Sequence, residues 1–416
     1  MIRRLTVWWD DRAAGELTQD QHGELGFVYA PDWISDVSAP ALSASLPKRA
    51  EPFSRRECRP FFGGLLPEES QRDAAARALG VSAGNDFALL DRLGGDVAGA
   101  LRFLHPGEAP ARRSFAAPVA LDDDALIGVL DRLPLRPLLA GEGELRLSLA
   151  GAQAKVPVVL IDGAVALPVP GQPTTHILKP PMERFPATTE NEAFVMRLAA
   201  AAGLDVAAVE VRVVRGRTFL LVARYDRVLR ADGSVRRVHQ EDFCQALSVP
   251  SETKYASEGG PTLKDCFALV RRVSVLPAVD VLRLLDAVIF NLVVGNADAH
   301  GKNFSILYGA EGARLTPLYD LLSTVVYPAL SPKLAMRIGR RETLEEMDPK
   351  GWAEFAADAG IGPPLVRRRV GELCARIGAS AAAAAEVLAR PGLDTDAIAR
   401  HAAMVVERAE RCALTR

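Results

Sequence analysis

The run Gly295-Asn296-Ala297-Asp298-Ala299-His300-Gly301-Lys302-Asn303 sets an aspartate five positions before an asparagine, directly after a long apolar stretch. A carboxylate and a neutral amide at that spacing suit phosphoryl transfer. Asp298 accepts the proton of an attacking hydroxyl, and the Asn303 amide oxygen ligates Mg²⁺ without adding a second full charge. The competing reading is an ordinary polar turn, since Asn, Asp and Gly gather in turns for backbone reasons. A second acidic turn, Leu318-Tyr319-Asp320-Leu321, favours the chemical one. An aspartate among large apolar residues is costly to bury unless it is paired or on a metal, so Asp320 reads as the other Mg²⁺ ligand. Its plain alternative is the N-cap of a helix starting near Leu321.

A second constellation runs from Ser148 through Leu149, Ala150, Gly151, Ala152, Gln153 and Ala154 to Lys155. Small residues at 150–152 let backbone N–H groups come close to phosphates. The loop is neither a Walker A nor a three-glycine kinase loop, and a hairpin turn of small residues explains it equally well. Lys179, ending the apolar run His176–Lys179, is placed as a phosphate-pairing cation that Glu192 could hold; a solvated lysine is the bland reading. His300 lies in the candidate catalytic loop and counts among the nucleotide-contacting residues. With no second histidine at metal spacing, a structural role in the loop is its leading explanation. Gln240-Glu241-Asp242 reads as the acidic first turn of a helix and needs no catalytic role. No GxSxG surrounds Ser148, and no nearby His or Asp suggests a hydrolase triad.

These residues need elements to hold them. Leu5–Trp9 and Gly26–Tyr29 read as strands, followed by helices over 57–66 and 70–79, with Gly80 ending the second. The Pro- and Gly-bearing stretch 105–118 reads as a linker. From Glu144 strands are expected over 145–149, 156–161 and 165–167, with Asp162-Gly163 as a tight turn. His176–Lys179 is a further strand, and Thr189 caps a helix to Ala201 in a capping box with Glu192. A hairpin over 209–224 turns at Gly216. After Asp226 helices are expected at 241–247, 262–272, 279–294 and through the C-terminal third. The fold class is therefore α+β: a strand-rich N-terminal lobe and an all-helical C-terminal lobe, divided as 1–105, 106–225 and 226–416.

At 416 residues the chain exceeds one ordinary core. Hydrophobic residues make up 49% and charged residues 25%, a globular balance, and the net charge of -2 argues against strong nucleic-acid binding by this chain alone. Five scattered cysteines without a CxxC pair point to free thiols in a reducing compartment. The N-terminus lacks a signal core and Val281–Val294 is too short and too charged for a bilayer span, so the expectation is a cytoplasmic protein with no membrane partner.

Taken in order, SLAGAQAK, THILKP, VARYDR, HQEDFCQ, GNADAHGKNFS and PLYDLLS resemble the HipA family of toxin kinases. LSASLP, FFGGLLPE and LGGDVAGAL in the first hundred residues agree, so the resemblance spans nearly the whole chain. It implies a bilobal, protein-kinase-like fold and an ATP- and Mg²⁺-dependent serine/threonine kinase. The implied substrate is a translation component, an aminoacyl-tRNA synthetase, and the implied partner is a helix-turn-helix antitoxin of the HipB type that reaches operator DNA. By motif, Asp298 falls on the base, Asn303 and Asp320 on the Mg²⁺ ligands, Lys179 on the ATP-phosphate lysine and Ser148 on the autophosphorylated serine. Ala223-Arg224-Tyr225-Asp226 falls on the adenine-receiving hinge; Ala223 stands where many members carry an acidic residue, which weakens any side-chain contact there. Two other readings compete: a co-repressor body with weak or no kinase activity, and a small-metabolite kinase.

Overall fold

The structure is a computed structural model, and it describes residues 2–110, 117–142 and 145–415. The chain forms two compact units that interleave in sequence. One comprises Met1–Pro180, Ala223–Glu252 and Leu307–Gly309; the other comprises Pro181–Val222, Thr253–Ile306 and Ala310–Arg416.

In the first unit, β1 (Arg3–Trp9) pairs antiparallel with β2 (Arg12–Gln19), which pairs with β3 (Leu25–Tyr29). Helices α1 (Pro31–Ser35), α2 (Arg55–Gly63), α3 (Glu69–Leu79) and α4 (Asp86–Leu93) follow. Strand β4 (Leu101–Leu104) then closes the other edge of β1, giving the order β3-β2-β1-β4. Alternation in β1 and β3 turns Leu5, Val7, Phe27 and Tyr29 inward, onto Phe53, Phe61, Phe62 and Phe103. Each such ring stabilises the core by roughly 2–3 kcal/mol relative to exposure. A capping box of Ser54 and Glu57 starts α2 two residues before its expected start, and Gly80 ends α3 at φ 66° as anticipated.

Next come α5 (Asp123–Arg132), β5 (Val156–Ile161), β6 (Ala164–Ala166) and β7 (His176–Lys179). Of the anticipated linker, residues 111–116 lie outside the described residues, and the flanking stretches are irregular. Glu144 also lies outside them. The expected strand 145–149 is corrected: only Leu147 bridges, to Asp96. The segment exchanges just two backbone bonds with the turn at Asp96, from Asp96 N to Arg146 O and from Ser148 N to Asp96 O, each 2.9 Å, before the small-residue loop begins. Strands β5 and β6 turn at Asp162 and Gly163, both at positive φ, and β7 pairs antiparallel with β5.

The chain then enters the second unit with α6 (Thr188–Ala201), β8 (Val209–Val214) and β9 (Arg217–Ala223), the last two an antiparallel hairpin turning at Arg215-Gly216. The Thr189 cap is corrected: α6 begins one residue earlier behind Ala187, which sits in the left-handed region at φ 53° without a side-chain cap. Back in the first unit lie the hairpin β10 (Arg227–Leu229) and β11 (Val235–Arg237), then β12 (His239–Asp242) and α7 (Phe243–Ala246). The helix expected from Glu241 therefore starts two residues later, because Asp242 is its N-cap and forms a capping box with Gln245.

The rest comprises α8 (Leu263–Val273), α9 (Pro277–Val294), β13 (Ser305–Gly309), β14 (Gly312–Leu315), β15 (Lys333–Ile338), β16 (Arg341–Thr343), α10 (Pro349–Ala359), α11 (Pro363–Glu386) and α12 (Thr395–Leu414). An all-helical C-terminal lobe is therefore corrected too. Seven short strands follow Asp226 among the described residues, the last two turning at Gly339, which carries φ 58°. Helix and sheet mix as far as Thr343, and from Pro349 to Leu414 the elements are helices, as expected for that stretch. All five cysteines are buried free thiols, and no described helix is long and apolar enough to cross a membrane.

Candidate phosphoryl-transfer site

In the first unit the Ser148–Lys155 loop folds back on itself and onto the segment after α2. Ser148 is fully buried and its Oγ donates to Leu65 O at 2.7 Å; Glu68 N donates to Gly151 O at 3.2 Å. Lys155 Nζ donates to Ala150 O at 2.8 Å, and Gln153 Nε2 reaches Pro180 O at 3.4 Å. Gly151 has a φ of 115°, and a Cβ there would strike the Lys155 ammonium. Only glycine lets this cation lie across the loop. Pairing of Val156 with Leu178 brings the loop's exit strand beside buried Lys179.

Of the expected hinge, Tyr225 OH hydrogen-bonds the Gln240 side chain. Arg224 is wholly turned inward. It donates to Asp226 Oδ1 at 2.9 Å, to Thr174 Oγ1 at 2.9 Å and to Val97 O at 2.8 Å. Asp96 gathers Arg224, Arg227 and Arg237 at 3.3, 2.9 and 2.9 Å, and accepts from Thr174 Oγ1 at 2.6 Å. Burial alone would raise the Asp96 and Asp226 pKa values, but the surrounding guanidiniums hold both well below the ordinary carboxylate range. Asp96 was missed from sequence; its only signal was its place in LGGDVAGAL.

In the second unit, α9 ends at Gly295 with φ 76°, where a Cβ would collide with Val325. The segment 296–303 is then fixed residue by residue. Asn296 Nδ2 donates to Asn291 Oδ1 at 2.8 Å, Asp298 N to Asn296 Oδ1 at 3.1 Å, Ala297 N to Thr324 Oγ1 at 2.9 Å, and Ala335 N to Ala297 O at 2.8 Å. Asp298 is left exposed at the tip. His300 is buried and shapes the next turn, its N–H donating to Asn303 Oδ1 at 3.1 Å. Asn303 Nδ2 then meets Asp320 Oδ2 at 3.2 Å. The helix that would have made Asp320 an N-cap is absent among the described residues: 321–330 is irregular, and Asp320 itself sits at φ 56°.

The Asn303–Asp320 pair fits a divalent cation in spacing and chemistry. Two cis ligands on an octahedral Mg²⁺ lie about 3 Å apart, and such ions take one or two protein oxygens plus phosphate and water. To do so the Asn303 amide must present Oδ1 in place of Nδ2, giving up the His300 N–H that Oδ1 accepts. No group of three His, Cys, Asp or Glu side chains gathers elsewhere among the described residues as a metal cage. Sequence reading overlooked Asn296 and Thr324, whose roles rest on contacts that spacing does not reveal.

One unit thus carries a buried loop of small residues with its lysine, and the other carries exposed Asp298 on the loop that leads to the Asn303–Asp320 pair. Residues 5–104 match the HipA N-terminal domain and residues 147–383 the HipA-like C-terminal domain. The chain is 67% identical over 390 residues to Y4mE of Sinorhizobium fredii, a protein named as a kinase, covering 93% of this chain and 92% of that one. It is 31% identical over 421 residues to the serine/threonine-protein kinase toxin HipA of Shewanella oneidensis, covering 96% and 94%. A solved complex of Shewanella oneidensis HipA, HipB and operator DNA superposes with a TM-score of 0.86 at 29% identity, covering 98% of this chain and 97% of that one. The chain belongs to the HipA family of serine/threonine kinase toxins.

Proposed function

We propose that the chain is an ATP- and Mg²⁺-dependent protein serine/threonine kinase, acting in the cytoplasm as the toxin of a toxin–antitoxin pair. Its substrate on this reading is a translation component, an aminoacyl-tRNA synthetase. Asp298 takes the proton of the accepting hydroxyl. Lys179, Lys155, Gln153 and the amides of Ala150, Gly151 and Ala152 hold ATP phosphates, while Ala223 and Tyr225 receive adenine and His300 shapes the nucleotide side of its loop. When bound, Mg²⁺ on Asn303 and Asp320 would offset phosphate charge. The observation that carries this reading is the single loop bearing exposed Asp298 and, five residues on, Asn303 at 3.2 Å from Asp320. A general base contributes roughly 10²–10⁴-fold. Asp298→Asn should therefore cut transfer of labelled γ-phosphate from ATP by about 10²-fold or more while nucleotide affinity persists. Transfer at the wild-type rate would remove Asp298 from its role.

Ser148 is the proposed autophosphorylation site. Its Oγ is buried against Leu65 O, so phosphate can be accepted only after the loop leaves this position. A phosphoserine of charge about -1.5 to -2 cannot return there, and it would oppose ATP phosphates. Ser148→Asp should bind ATP at least tenfold more weakly; unchanged affinity in calorimetry would sink the idea. The relative solved with HipB and operator DNA favours a HipB-type antitoxin as partner, with DNA reached through it. The same likeness keeps open a co-repressor body of weak kinase activity, and a chain without nucleotide affinity would favour that role.

A further inference from the structure

Opposite Asp298 in the second unit lies a turn to which nothing has yet given a part. Residues 253–260 hold the short 3₁₀ turn Ala256–Glu258, and their only aromatic side chain is Tyr255. The Tyr255 carbonyl accepts Glu258 N and Gly260 N, each at 2.9 Å. Gly259 reverses the chain at φ 93°, and Gly260 lies so close to Thr253 O and the Lys254 backbone that a Cβ would overlap them. The backbone beneath the ring is thus closed on itself. The ring meets His300 edge-on at a centroid distance of 5.6 Å and an angle of 75°, and the buried Lys254 ammonium lies 5.5 Å from its centroid. From this fixed seat the phenol hydroxyl donates to Asp298 Oδ1 at 3.1 Å.

We infer that Tyr255 is a positioning residue for phosphoryl transfer, its hydrogen bond to Oδ1 turning the Asp298 carboxylate to present Oδ2 to the accepting hydroxyl. This rests on the kinase reading above. A carboxylate's last torsion is broad, a hydrogen bond to one of its oxygens narrows it, and a base must lie within hydrogen-bond reach of the proton it takes. In the step, the serine or threonine oxygen forms a bond to the γ-phosphorus as its proton passes to Asp298 Oδ2. The bond from the γ-phosphorus to the bridging oxygen breaks, and ADP leaves with that electron pair. Tyr255 exchanges no proton; its hydrogen bond to the carboxylate persists throughout. The His300 ring contact makes the assignment specific, because one side chain touches both the candidate base and the residue that shapes the turn to Asn303.

The test is Tyr255→Phe, which keeps the ring, the His300 contact and the Lys254 contact and removes only the hydroxyl. Single-turnover transfer from γ-labelled ATP with Mg²⁺ into the chain itself is measured alone and in an Asp298→Asn background, alongside KM for ATP and the melting temperature. Loss of one hydrogen bond to a charged group predicts a fall in the transfer rate of about ten- to a hundredfold. KM and melting temperature stay unchanged, and no further fall appears in the Asp298→Asn background, since Tyr255 acts only through that carboxylate. Wild-type transfer by Tyr255→Phe, a change confined to KM, or an equal fall in both backgrounds would each overturn the inference. If Asp298→Asn itself transferred phosphate normally, or the wild-type chain never labelled, the kinase reading would fall first.

Discussion

Asp320 holds its candidate ligand position at φ 56°, where a non-glycine residue bears a strain of about 1–3 kcal/mol. Aspartate tolerates that region better than most side chains, and the conformation turns its carboxylate toward Asn303. Two buried groups of the first unit set up a different contest. Glu241 accepts hydrogen bonds from Ser43 Oγ, Ala44 N and Tyr308 OH. Burial nevertheless pushes its pKa up to about 7, and burial pushes neighbouring His239 down to about 4. Folded Glu241 binds protons more readily than unfolded chain between pH 4.5 and 7, so its contribution to stability falls as pH rises through that window. Folded His239 binds them less readily between pH 4 and 6.5, so its contribution falls as pH drops. The two oppose each other where the windows overlap. Glu241→Gln should unmask the histidine: stability in urea would rise by up to about 3 kcal/mol between pH 4 and 6.5. An unchanged pH profile would show that the pair does not titrate this way. None of this was legible in Gln240-Glu241-Asp242, which reads as a helix start; only Asp242 plays that part, and Glu241 is taken by residues nearly two hundred positions away.

Among the elements, α12 has an unexpected hold on the loop after α9. Arg408 is buried; its Nε donates to Val293 O and its Nη2 to Leu292 O, both at 3.0 Å, while Nη1 meets Glu345 Oε1 at 2.7 Å. The last carbonyls of any helix lack intrahelical partners, and a cation there also answers the helix dipole. Arg408→Ala should cost about 1–3 kcal/mol, because Val293 O loses this donor and Leu292 O keeps only the Gly295 N–H. It should also speed amide exchange over 295–298, and a melting temperature equal to wild type would refute the brace. Helices α8 and α9 were readable because their signals are local: Thr262 caps one, Pro277 opens the other and Gly295 ends it. The short strands after Asp298 were not, since three to six residues carry little periodicity and their ladders depend on partners elsewhere. The start of α6 was misread for a related reason: a left-handed alanine is invisible to any capping rule, whereas Thr189 looks like a cap.

At the scale of the molecule, the first unit is completed only when the chain returns to it at Ala223. Asp96 waits for Arg224, Arg227 and Arg237, up to 141 positions further along. Such a cluster is weak evidence for net stabilisation, but breaking it is costly. Asp96→Asn should lower stability by about 3–5 kcal/mol, because three buried guanidiniums are left with Asp226 alone to balance them. A urea midpoint within error of wild type would contradict this. Since both aspartates are held below their ordinary pKa, their contribution is complete above about pH 4 and is lost only as pH falls toward 2. Candidate site residues carried on contiguous motifs, such as Asp298 with Asn303 or Ser148 with Lys155, are proposed from the sequence itself because each pair lies within one short segment. The supports that fix them, Thr324, Asp96 and Arg408, could not be, because each is joined across distant segments.

That separation also orders events in time. Ribosomes add about 5–20 residues per second, so Arg408 emerges some 5–20 s after the α9 carbonyls it caps. A growing chain therefore displays Asp298 and Asn303 well before the piece that steadies them exists.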